Sequence, residues 1–534
     1  MSTLEIYDPQ HPNHQVTRQE LLKKLDWNVL PALSLLWLAC FIDRTNIGNA
    51  KVGGMNTSLG LHGNQFNIGL AVFYITYIFS ELPSNYILKR LGGKLWLPFL
   101  VASWGIITIM SGFMTNFASL IIIRLLLGLF EGGLLPGMVV YLSTMYKRHE
   151  LQLRVGIFFA FASLSGAFGG LLAYAIEQMD GVSGKKGWQW LFYLEGIATV
   201  FIAIFAWCCL PQNLETASFL TPSQRDFAVN RLKFSSTSSK PNVRFSPMVQ
   251  SDSSNQDFVN PISVVYESQD ENSNGKIEKA ETLVENSKMN SENVSISENF
   301  EMIEVIRGFK EPQVWISGLG YMALCVGLYS YSLFLPSIIS GMGYRGSQAQ
   351  LFSSFPYLPA SVLVVVIAFL ADKWQVRGPI VICLLPLTIV GYVLAITAET
   401  NKVRYIAVFF MSAGIYPSIP SILCILPNNV SGLTKRSVTT ALQLMIANCA
   451  GFIGTFIYTS EQAPTYRRGH SIALGFTCLA WIMIGLNSIY CLFENHARSR
   501  GKRDMNITEY LKLVSDGKTK APIGDRAPDF KFTI

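Results

Sequence analysis

The fold class predicted for this sequence is an all-α membrane protein, with twelve transmembrane helices in two six-helix bundles. Three observations lead there: apolar runs of spanning length recur along most of the chain, charge is scarce, and a short basic motif returns in the second half. Half of the 534 residues are hydrophobic and 14% are charged, against about a quarter charged in soluble domains. A bilayer core of about 30 Å needs roughly 20 predominantly apolar residues per helix, and the chain supplies such runs repeatedly.

Runs bounded by charges, Gly and Pro predict spans near 28–49, 66–88, 95–113, 118–145, 154–178 and 188–210, then near 314–340, 350–371, 379–397, 404–426, 437–459 and 471–493. Between the two sets lies 211–313, whose middle, 234–300, is rich in Ser, Asn, Glu and Lys. That composition buries too little apolar surface to offset chain entropy. The predicted organisation is therefore a tail (1–27), a bundle (28–210), a largely disordered central loop (211–313), a second bundle (314–494) and a tail (495–534). The first apolar run is too long for a signal peptide and lacks a small-residue cleavage pattern, so it is expected to remain as the first helix.

Orientation follows from Lys and Arg beside the spans. Arg18, Lys23 and Lys24, then Lys89, Arg90 and Lys94, then Lys147, Arg148 and Arg154 fall on one side, against Lys51, Lys185 and Lys186 on the other. Both termini and the central loop are expected to face the cytosol. The bias weakens in the second half, where Lys402, Arg404, Arg467 and Arg468 fall outside. The net charge of +7 lies in these short clusters rather than on one basic surface, which argues against nucleic acid as a partner. The nine cysteines lie inside apolar runs without paired metal-ligand spacing and read as packing residues. No P-loop, haem or zinc spacing, or Ser, His and Asp constellation stands out. Neither an enzyme nor a bound metal or cofactor is expected.

The internal repeat places "SNYILKRLGGK", with Arg90, Gly92 and Lys94, after the second span and "AFLADKWQVRGP", with Asp372, Lys373 and Arg377, after the eighth. In this the sequence resembles the major facilitator superfamily, whose motif there is Gly, three residues, Asp, Arg, one residue, Gly and a basic residue. The first copy has Asn85 for the Gly and Lys89 for the Asp; the second has Ala368 for the Gly. Within the superfamily, "FIDRTNIGNAK" (41–51), "ELPSNYILKRLG" (81–92), "RLLLGLFEGGLLPG" (124–137), "GWQWLFYLEG" (187–196) and "NNVSGLTKRSVTTAL" (428–442) resemble the fungal anion:cation symporters that include the allantoate and nicotinic acid permeases. Where those relatives carry Trp five residues after a helix-ten Pro, this chain has Ile425 after Pro420. The resemblance implies a carrier that acts as a monomer in the plasma membrane and imports a small organic anion with protons. Nicotinate, allantoate, pantothenate, biotin and small acidic peptides are the implied substrates. A proton-independent uniporter or exchanger, or a substrate sensor on the same scaffold, remain alternatives.

A charge at the centre of a membrane helix costs at least about 2.5 kcal/mol, so each is a functional candidate. The first half holds Asp43, Arg44, Glu81, Arg124, Glu131 and Glu195, whereas the spans of the second half hold almost none away from their ends. At 1.5 Å per residue, Arg44 lies about 24 Å along helix one and Arg124 about 9 Å into helix four, at similar depth, with Glu131 about 10 Å deeper. Paired guanidinium donors suit a carboxylate, and a desolvated carboxyl beside them can take or release a proton. Arg44 and Arg124 are thus candidates for the anion, and Glu131 and Asp43 for the proton; a structural ion pair is the competing explanation. Glu81, Arg90, Asp372 and Arg377 are assigned to gating or structure. Tyr329, Tyr416 and Asn428 are the second half's substrate-facing candidates, and Pro417, Pro420 and Pro427 predict a kinked or broken helix ten.

Overall fold

In hydrocarbon every backbone N–H and C=O must be satisfied within its own segment, so apolar runs of this length fold as helices. The computed structural model describes residues 18–147, 150–237, 301–344, 346–519 and 523–534. Among them twelve helices are long and apolar enough to cross a membrane, and no strand occurs. They are α1 (Arg18–Val52), α2 (Gln65–Leu91), α3 (Gly93–Ser111), α4 (Phe117–Met145), α5 (Leu153–Glu177), α6 (Gly187–Cys209), α7 (Pro312–Gly341), α8 (Ser347–Trp374), α9 (Gly378–Thr397), α10 (Asn401–Asn429), α11 (Thr434–Ile457) and α12 (Arg467–Ser499). Residues 1–17, Arg148 and most of the expected disordered loop, 238–300, lie outside the described residues. The flanks expected as loop are helical, at Pro222–Thr237 and Met302–Lys310.

Burial sorts the helices into layers. α7 and α10 bury 94% and 83% of their most apolar stretch, whereas α6 and α12 bury 39% and 33%. The outward residues of α6, such as Ile197, Phe201 and Ile204, are apolar and suit lipid contact. Gly92, at φ 80°, turns α2 directly into α3, a backbone conformation that glycine adopts without steric cost. Three helices are interrupted: α4 at Gly132–Gly133, α8 at Phe355–Pro356 and α11 at Cys449. α10 keeps its helix through all three prolines.

The two halves touch along several seams, three of which carry specific contacts. α1 meets α7 where a Cβ on Gly48 would strike the carbonyl oxygen of Leu333. On α2 and α11, Asn67 Nδ2 donates to the carbonyls of Thr455 (2.6 Å) and Tyr458 (3.2 Å), and Gly451 lies against the Tyr74 ring. On α5 and α8, Ser163 Oγ donates to the Tyr357 carbonyl at 3.1 Å and Gly156 abuts Ala368. At the face that carries the termini, Asp372 Oδ2 at the end of α8 accepts from the Leu153 N–H at 2.9 Å. At the opposite face Gln350 Nε2 donates to the Asn49 carbonyl at 3.4 Å. The halves therefore touch at both faces.

The residues after α12 fold back over the terminus-bearing end of the second half. Asn495 and Asn429 each exchange two hydrogen bonds with the strap backbone, at Phe532 (2.8 and 2.9 Å) and Thr533 (2.7 and 2.9 Å). The Arg377 N–H donates to the Ile534 carbonyl at 2.8 Å. Beneath the strap, Lys435 is 1% exposed and paired to Glu311 (2.8 Å) and Asp525 (2.5 Å). Asp525→Asn removes one charge-assisted partner from a buried ammonium and is expected to destabilise the protein by about 1.5–3 kcal/mol. Thermal unfolding in detergent measures this, with Asp516→Asn, which breaks only the exposed contact to Lys518, as a control that leaves the transition in place.

Candidate functional site

Adjacent residues on a helix point about 100° apart, so Asp43 and Arg44 of α1 face different neighbours. Arg44 Nε reaches Glu131 Oε1 of α4 at 2.5 Å, and Cys40 Sγ, one turn earlier on α1, donates to the same oxygen at 3.0 Å. Four rings surround the guanidinium carbon: Tyr77 at 4.9 Å, Phe41 at 5.3 Å, and Phe73 and Tyr329 at 5.7 Å each. All lie within reach of a cation–π attraction. Asp43 turns instead toward α3, where Thr108 Oγ1 donates to it at 3.3 Å. Asn46, three residues on, donates to Glu195 Oε2 of α6 at 2.9 Å. Arg124 of α4 is buried within electrostatic range of Asp43, Glu131 and Glu195.

Small residues bring these helices together. A Cβ on Gly128 would strike the Phe73 carbonyl of α2, and one on Gly132 the Tyr77 carbonyl. Close backbone approach of this kind is how helices associate where no hydrophobic force acts between them. It sets Glu131, the last residue before the interruption in α4, beside the α2 stripe of Phe73, Tyr77 and Glu81.

The structure gathers Asp43, Arg44, Arg124, Glu131, Glu195 and Tyr329 from the sequence-derived candidates and leaves the others elsewhere. The depth estimate set Arg44 level with Arg124 and Glu131 well below; instead the Arg44 side chain reaches Glu131 directly. Tyr416 bonds Ser332 Oγ at 2.9 Å within a separate cluster of Tyr331 and Tyr357. Asn428 donates to the Cys424 carbonyl one turn back on its own helix, at 2.7 Å, near the end of α10. Arg90 folds over Tyr86 of its own helix, and among the described residues it shows no hydrogen bond or ion pair across the halves, unlike Asp372. Arg377 is held through its backbone by the strap. Glu81 accepts a hydrogen bond from Asn448 Nδ2 of α11. Sequence reasoning missed Cys40, Thr108, Asn448 and the α2 rings. The 73, 77, 81 spacing, one face of a helix, was the available signal for the rings.

The cluster has unmatched valence of both kinds. Arg44 Nη2 and Arg124 Nε and Nη2 lack an acceptor among the described residues, while Asp43 Oδ2, Glu131 Oε2 and Glu195 Oε1 lack a donor. Buried polar atoms are rarely left so. Three free N–H-bearing nitrogens suit an anionic oxygen ligand, and three free carboxylate oxygens suit protons.

Twelve spanning helices in two halves packed against a buried charge cluster define a polytopic membrane transporter. The chain belongs to the Major Facilitator Superfamily, whose family model matches residues 33–486. It is 31% identical over 516 residues to an uncharacterized transporter of Schizosaccharomyces pombe, covering 97% of this chain and 90% of that one. It is 26% identical over 528 residues to the high-affinity nicotinic acid transporter of Saccharomyces cerevisiae, covering 99% and 86%. A solved proton:xylose symporter of the same superfamily superposes with a TM-score of 0.58 at 12% identity, covering 86% of this chain and 95% of that one, a likeness of fold.

Gly132→Val would drive a branched side chain into the Tyr77 carbonyl and part α2 from α4. Overpacking of this kind costs about 1–3 kcal/mol or more. A lowered unfolding temperature in detergent is expected, whereas Gly475→Ala, at a position open on α12, leaves it unchanged.

Proposed function

We propose that this transporter imports a small organic anion by proton symport, with Arg44 and Arg124 receiving the carboxylate and Glu131 and Asp43 carrying the proton. The observation that carries this reading is the contact between Arg44 and Glu131, flanked by unmatched donors and acceptors. A substrate carboxylate and the Glu131 carboxylate compete for one guanidinium. A proton taken from outside onto Glu131 frees Arg44, so proton and anion bind with positive coupling, each raising affinity for the other by the same factor. Asp43, held by Thr108 on the far side of Arg124, balances that second guanidinium. Tyr74, Tyr77 and Tyr329 give the site flat apolar walls, which suit a planar acid. The nicotinic acid transporter among the relatives supports a vitamin-like carboxylate, nicotinate or an allantoate-like acid. We place the termini in the cytosol and the protein in the plasma membrane as a monomer, on the distribution of Lys and Arg and the family's habit. Asp372 at the inner end of the seam and Glu81 then act as gate elements.

The test is uptake by a transporter-deficient fungal cell across a panel of carboxylates that includes nicotinate and allantoate. Glu131→Gln is expected to keep counterflow exchange but lose accumulation driven by the proton gradient; full pH-driven accumulation in that variant rules Glu131 out as the coupling group. Arg44→Lys keeps the charge but loses the planar two-point geometry. Its apparent affinity is expected to fall about tenfold or more, equivalent to about 1.4 kcal/mol; unchanged affinity would reduce Arg44 to a helix-holding role.

A further inference from the structure

Glu81 is buried in α2, one turn beyond Tyr77, and among the described residues it has no ion-pair partner. Its hydrogen-bond partner comes from the other half: Asn448 Nδ2 donates to Glu81 Oε1. Asn448 Oδ1 in turn accepts from the Tyr329 hydroxyl of α7 at 2.9 Å. The Tyr329 ring stands 5.7 Å from the Arg44 guanidinium and 5.3 Å from the Tyr74 ring. Asn448 is the last residue of α11 before its interruption at Cys449. A single chain of contacts therefore runs from a carboxyl in the first half, through an amide in the second, to the wall of the charge cluster. Among the described residues, the charged or titratable groups within electrostatic range of Glu81 are Arg44 from α1, Tyr77 from its own helix, Tyr321 from α7 and Cys449 from α11. Of these Arg44 is the cation, and it is already engaged by Glu131.

We propose that Glu81 is a second proton-binding site of this transporter, filled while Asn448 bridges the two halves and emptied when they part toward the terminus-bearing face. This rests on the proposed proton-coupled transport. The physical argument is access to water. While the seam is closed, an ionised Glu81 has neither bulk solvent nor a paired cation, which is costly in a low-dielectric surrounding. Once Asn448 moves away, water solvates the carboxylate and its proton leaves to that side. Re-closing over the bare anion is then unfavourable until a proton returns.

The experiment needs no known substrate. Amide hydrogen exchange of the full chain in liposomes is followed in the segments around 443–452 and 153–160, at about pH 5.5 and about pH 8.5, after correction for intrinsic chemistry. Wild type is expected to lose protection about tenfold or more at the higher pH, as the seam opens. Glu81→Gln, which keeps the hydrogen bond and cannot ionise, stays protected at both; Asn448→Ala is unprotected at both. Wild-type protection that ignores pH overturns the proposal, as does a Glu81→Gln protein with the wild-type shift. If Glu81→Gln does not fold, an Asn448→Ala protein that retains the wild-type shift overturns it equally. Glu131→Gln separates the two readings: it keeps the exchange shift if Glu81 is the site. A shift abolished by Glu131→Gln and untouched by Glu81→Gln leaves the transport reading standing and removes this one.

Discussion

The rest of the structure depends on the cost of placing charge where neither water nor lipid headgroups can reach it. Arg44 and Glu131 meet at 2.5 Å with both side chains almost wholly buried, and Arg124, Asp43 and Glu195 lie around them. Each ion is tolerable only beside the others. The packing of α1, α2, α4 and α6 follows from keeping those groups together, and so do the glycines of α4, which let the α2 backbone come close enough to wall the cluster. A pair held this way is a poor source of stability and a good switch, because anything that binds one partner releases the other.

The closed seam gives that switch its reach. Contacts between the halves include glycine and alanine approaches, as at Gly48, Gly156 and Gly451, which fit only one arrangement, and hydrogen bonds, as at Asn67, Gln350 and Asp372, which are replaceable by water. Packed surfaces of this type have discrete alternatives rather than a continuum. The interruptions in α8 and α11 place joints next to the surfaces that must separate.

Hydropathy made the twelve spans legible because hydrocarbon leaves the backbone one economical choice. It could not show that α1 extends back as far as Arg18 or that α12 continues to Ser499, since those turns are polar and are held by tertiary contacts. The charged members of the site were legible for the same reason that makes them costly. Their pairing was not: a depth ruler counts Cα positions and ignores the length of an arginine side chain, which is why Arg44 was matched to Arg124 instead of Glu131. Tyr416 and Asn428 were chosen by residue type on a helix whose facing was unknown, and α10 turns them toward its own neighbours. Asn448 was invisible because its role exists only across 367 residues of sequence separation. The strap that covers Lys435 was hidden by its composition, which reads as an ordinary polar tail.

The charges of the cluster all come from α1, α4 and α6, whereas α7 and α11 present a phenol, an amide and a benzyl group through Tyr329, Asn448 and Phe452. This asymmetry divides the labour of evolution. A substitution in the first half alters the ionic balance and is felt by every ligand. One in the second half that spares Asn448 reshapes a neutral wall while the ionic groups opposite keep their partners. A lineage built on this plan can change its diet by drift at the remaining wall positions of α7 and α11, with the ionic cluster inherited unchanged.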